Sequence, residues 1–161
     1  MGVSAASRFP GIPPTDNVGM FTPSQDDVRR FFCEVYSRWR QSLPMDPMQT
    51  RAAQWVAEHP EYHAELQDVE AAVQRSYRVE DGRTNPFLHL SMHLSLAEQA
   101  AIDQPRGIRE AGEKLTHRLG SLHEAHHRMM DCLGEMIWAS QRSGQAPDGL
   151  RYLDCVRRQA L

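Results

Sequence analysis

Six of the eight histidines fall into three pairs spaced four apart: His59 with His63, His89 with His93, and His123 with His127. Placed at random over this length, eight histidines would give roughly 0.4 such pairs, so the spacing asks for a cause. Residues four apart on a helix share a face, and two imidazoles there can reach one metal ion. Glu124 and His127 add a Glu-x-x-His step, the spacing used in bundle di-iron carboxylate sites, and Glu135 follows two turns later. The expected metal ligands are therefore His89, His93, His123, Glu124 and His127, with His63 and Glu135 as outlying candidates. Imidazoles and carboxylates without thiolates favour zinc or non-haem iron over copper(I) or an iron–sulfur cluster.

A metal-free explanation competes. Buried histidines are tolerated when each ring nitrogen finds a partner, and two helices sharing imidazole–carboxylate hydrogen bonds account for the same residues. His123-Glu124-Ala125-His126-His127 also matches HExxH, in which the outer histidines bind zinc and the glutamate activates water. Three features weigh against a peptidase. Ser121 and Glu124 have capping-box spacing, no strand pattern exists to align a peptide, and no third ligand follows at zincin spacing. His117 and His126 read as surface histidines. Gly134 passes through the face below His127, where a missing side chain would admit a backbone or a ligand.

The elements that must hold these residues are helical. Thr22-Pro23-Ser24-Gln25 reads as a cap, a first-turn proline and a capping-box glutamine, followed by the stripe Val28, Phe31, Phe32, Val35, Trp39. Asp46-Pro47-Met48-Gln49 opens a second helix carrying Ala52, Trp55 and Val56. Pro60 disfavours helical geometry at His59, which takes the first pair out of register and leaves His59 as a cap. A third helix from Pro60 then aligns His63, Leu66, Val69, Val73 and Tyr77. After a polar loop, Arg78 to Thr84, Asn85-Pro86 starts a largely apolar fourth helix that buries His89 and His93. A fifth runs from Gln104-Pro105 to Leu119 on Ile108, Ala111 and Leu115, closed by Gly120. The sixth, Ser121 to Arg142, turns Met129, Leu133, Met136 and Ile137 inward, and a short last helix, about Asp148 to Arg158, presents Leu150, Leu153 and Val156. Trp138 reads as packing the end of the sixth helix. The fold expected is all-α, an antiparallel bundle of six to seven helices forming one domain over 20–161.

Composition excludes several functions. The net charge of −3 leaves no electrostatic footprint for nucleic acid or acidic lipid, and Arg157-Arg158 is too little to alter that. No stretch is long and apolar enough to span a bilayer, and the amino terminus lacks the pattern of a secretion signal, so a cytoplasmic location is expected. Met1-Gly2 resembles a myristoylation start, but Ala6 stands where the serine should be and Ser7 comes one place late. Residues 1–19, rich in proline, read as a disordered tail or a start assigned too early, with Met20 as the other start. Cys33, Cys132 and Cys155 show no framework spacing and are expected as reduced, buried thiols.

Over about 20–153 the letters resemble a bacterial domain-of-unknown-function family, number 1841. The likeness rests on His59-Pro-Glu-Tyr-His63, Asn85-Pro-Phe-Leu-His89 with His93 and Glu98-Gln99, then His123-Glu124, His127, Met130, Cys132-Leu133, Glu135, Trp138 and Gln141-Arg142. The resemblance carries no activity with it. It implies a start at Met20-Phe21, and it leads one to expect an acidic residue where His126 stands. Hemerythrin-type and DinB-type bundles offer a looser analogy. Three functions remain open: a helical protein binding iron or zinc; a non-enzymatic interaction or regulatory module, with a protein partner or a second copy and a metal-free histidine network; and a metal-dependent hydrolase, which requires an open coordination position.

Overall fold

Reciprocal capping sets where the first two helices begin. Ser24 Oγ accepts the Asp27 N–H at 3.1 Å while Asp27 Oδ2 accepts the Ser24 N–H at 3.1 Å, and Asp46 and Gln49 make the same pair at 2.8 and 3.0 Å. These boxes open α1 (Gln25–Arg40) and α2 (Pro47–Ala57). The computed structural model describes residues 24–78, 82 and 84–161. The expected tail, the Met20-Phe21 start, the Thr22-Pro23 cap and part of the polar loop lie outside the described residues. Ser24 takes the capping role expected of Thr22.

The third helix differs from its expectation. A 3-10 turn, Pro60–Tyr62, leads into α3 (His63–Leu66) and then α4 (Val69–Gln74), because Asp68 interrupts the run. Its carboxylate accepts the Glu70 and Ala71 N–H groups at 3.1 and 3.2 Å, so the chain restarts there. Asn85 caps α5 (Pro86–Ile102), its Oδ1 accepting from Phe87 and Leu88. The fifth expected helix starts late: α6 spans Ile108–Leu119, and Asp103 Oδ1 takes the Gly107 and Arg109 N–H groups at 3.1 and 3.0 Å. Then come α7 (Leu122–Ser143), capped by Ser121 and ended by Gly144, and α8 (Gly149–Gln159), capped by Asp148. Among the described residues there are eight α-helices and no strand.

Two compact units emerge: Asn17–Leu94, described from Ser24, and Ser95–Leu161. In the first, Phe32, Val35, Trp55, Val56, Leu66, Phe87 and Leu90 build one apolar cluster. Arg29 is buried against it, donating from Nη1 to the Ala72 and Arg75 carbonyls at 2.7 and 2.6 Å, which satisfies the end of α4. In the second, α6, α7 and α8 pack on one another through Ile108, Leu115, Met129, Leu133, Tyr152 and Val156. The buried stripe of α8 is Tyr152, Leu153 and Val156; Leu150, expected inward, is 79% exposed because it lies in the first turn, outside that stripe.

The cysteines also depart from expectation. Cys132 of α7 and Cys155 of α8 form a disulfide, with Cα atoms 5.8 Å apart, and only Cys33 is a free, buried thiol. Helix packing rather than sequence spacing brings the two together. No helix among the described residues is long and apolar enough to cross a membrane.

Candidate metal centre

Three imidazoles converge in the unit Asn17–Leu94. His89 and His93 lie one turn apart on α5, and His59 reaches them from the break between α2 and the 3-10 turn. Pro60 forces that break: His59 adopts φ −124°, ψ 64°, outside the helical region. Its Nε2 comes within 3.0 Å of His93 Nε2, which is itself 3.1 Å from His89 Nε2. Packing fixes the rings. Trp55 stacks on His93 at 4.2 Å between centroids and Tyr62 on His59 at 5.1 Å, while His93 and His59 are both buried.

Glu61 sets the tautomer of His59. His59 Nδ1 is 2.7 Å from Glu61 Oε1, a carboxylate that can only accept, so Nδ1 carries the hydrogen. A neutral His59 then presents a bare Nε2 lone pair. The three Nε2 atoms are close enough together for their lone pairs to face one cation. With zinc–nitrogen bonds of about 2.0–2.1 Å, ligand nitrogens in a tetrahedral site stand about 3.4 Å apart, a few tenths of an ångström beyond the separations here. Glu61 on the far nitrogen of His59 supplies the carboxylate–histidine–metal arrangement that orients ligands in such sites.

The unit Ser95–Leu161 contributes a second imidazole pair. His123 and His127 on α7 stack edge to face at 4.5 Å, with ring nitrogens within 4.8 Å of one another. Their neighbour His126, expected on the surface, is buried, because Ala125, His126, Met129 and Met130 form the inward face of α7. Burial, and then the charges of His123 and His127, push its imidazole down to about 3, so it stays neutral.

Other expected ligands sit elsewhere. Glu124 is exposed in the first turn of α7, where its backbone N–H donates to Ser121 Oγ at 3.2 Å, the structural role that competed for it. Glu135 is exposed about three turns further on. His63 donates from Nε2 to the Val56 carbonyl at 2.8 Å and packs against Tyr36 and Trp39, joining helices rather than facing the other imidazoles. Gly134 has open space where its Cβ would be, so no backbone approaches there. His117 is exposed, as expected. The residue that spacing missed is His59, discounted because Pro60 removed it from the helix; the signal for it was Glu61, two residues on.

Fold and centre together define an all-helical protein with clustered histidines. The family model for the domain of unknown function DUF1841 matches residues 24–158, and the chain belongs to that family. No curated protein and no solved structure matches it.

Proposed function

We propose that this protein is a metal-binding helical protein that holds zinc or iron through His59, His89 and His93. The observation that carries the reading is the convergence of three Nε2 atoms at 3.0 and 3.1 Å with the tautomer of His59 set by Glu61. Imidazole donors alone suit both metals, and His123 with His127 on α7 is a separate pair of the same type and spacing. Glu124 and Glu135 are left out of the set. An antiparallel arrangement of the helices within each unit is part of the same proposal.

The test is metal uptake by chelator-stripped protein, titrated with zinc(II), or anaerobically with iron(II), against a chromophoric competitor. Wild type takes up one equivalent, His93→Ala and His59→Ala take up none, and His63→Ala binds like wild type. Acid releases the ion, since each imidazole must be neutral to ligate. Uptake that survives His93→Ala would contradict the proposed centre, and a folded wild-type protein that takes up neither metal favours the metal-free network.

A further inference from the structure

The other end of α7 carries a second constellation. Cys132 and Cys155 both line a cleft of about 560 Å³ between the carboxyl-terminal part of α7 and α8, a size suited to a small molecule. Their exposure differs: Cys132 is buried, whereas Cys155 is partly open to the cleft. A disulfide sealed on both sides serves only as a staple. This one lines a cleft, and of its two cysteines Cys155 is the less buried.

The walls carry charges of both signs, with Arg142 and Arg151 the guanidiniums not already paired with Asp154. Arg142, Arg151 and Arg158 line the cleft against the carboxylates of Glu135 and Asp148, three positive groups to two negative. Asp148 is engaged as the α8 cap, accepting from the Leu150 and Arg151 N–H groups, and Arg158 pairs with Asp154 at 3.2 Å on an exposed face. Arg142 lies 5.0 Å over the ring of Trp138, which is 59% exposed rather than packed at the helix end. Guanidiniums beside a reacting sulfur stabilise an incoming thiolate and attract carboxylates carried with it.

We propose that Cys132–Cys155 is a thiol–disulfide exchange site for a small thiol bearing carboxylates. Its thiolate attacks Cys155 Sγ; the Cys132–Cys155 bond breaks, a mixed disulfide forms on Cys155, and the electron pair leaves on Cys132, which takes up the proton the thiol lost. A second thiol attacks the bound thiol's sulfur and frees Cys155 as a thiol. Two small thiols are thereby oxidised to one disulfide, and the protein disulfide is reduced to two thiols. Helix α8 keeps its place through the step, since Tyr152, Leu153 and Val156 are buried and Tyr152 Oη donates to Gln99 Oε1 at 2.7 Å.

The experiment follows opening of the disulfide in the intact, folded protein by quenching, alkylation and mass measurement. The probes are glutathione, 2-mercaptoethanol and cationic cysteamine at matched thiolate concentration and low salt. Glutathione should react about tenfold faster than cysteamine, with the preference shrinking as salt is added, because cleft charge acts by raising local concentration. Arg142→Glu and Arg151→Glu should reverse the order while keeping the disulfide. In Cys132→Ser, the free Cys155 should attack oxidised glutathione, forming the mixed disulfide and releasing one glutathione as thiolate; if that variant does not fold, the arginine variants decide alone. Equal rates for all three thiols, or opening only when denaturant unfolds the chain, would overturn the proposal and leave a structural cross-link.

Discussion

Glu61 decides which nitrogen of His59 faces the other imidazoles. Removing its charge with Glu61→Gln keeps an acceptor but weakens the hold on the tautomer, and metal affinity should fall by about 10- to 100-fold while the fold is retained. A competition titration against wild type measures it, and unchanged affinity would show that Glu61 has no part in orienting the ring. Cys33 offers a separate test. Burial, and secondly the charge of Asp68, raise its thiol to about 11, leaving about a thousandth as thiolate at pH 8. A colorimetric thiol reagent should therefore detect no reactive thiol in native protein, one after unfolding, and three after unfolding and reduction; three without a reductant would contradict the disulfide. Four-residue spacing led to His89 and His93 but not to the whole trio. His59 and His63 exchanged roles because the proline that breaks the helix also re-aims the ring before it, a three-dimensional consequence that counting cannot carry.

Helix boundaries were legible at most of the residues that cap or end them. Asp46, Asn85, Ser121, Asp148 and the glycines at 120 and 144 all act where their types suggested. The long third helix was not, because Asp68 sits inside an apolar stripe whose period looks continuous until its carboxylate turns back on the backbone. Two glycines make the element-scale account testable. Gly134 lies inside α7 with nothing within 4 Å of an added Cβ, so Gly134→Ala should raise stability by about 1 kcal/mol through helix propensity. Gly107 precedes α6 at φ +101°, where a Cβ would meet Arg157 Nη2 at 3.0 Å. Gly107→Ala should lower stability by about 1–2 kcal/mol, more than the entropy it saves in the unfolded chain. Denaturant unfolding of the two variants reads both signs, and a destabilising Gly134→Ala would mean that α7 needs that space.

At the scale of the molecule, the all-helical class was readable from the absence of alternating strand patterns, while the cross-link was not. Cys132 and Cys155 are 23 residues apart, a spacing that names no partner until α7 and α8 pack. Closing a loop of that length should contribute about 3 kcal/mol, so reduction should lower the unfolding midpoint without removing the helical signal. Bound metal should add stability in proportion to the logarithm of its free concentration, because the convergent nitrogens exist only in the folded chain. The most direct test of the central claim is metal content per chain in protein purified without chelator, measured by elemental analysis alongside His93→Ala. The expected result is close to one zinc or iron per chain in wild type and none in the variant; wild-type protein that is folded, metal-free and indifferent to added metal would contradict it.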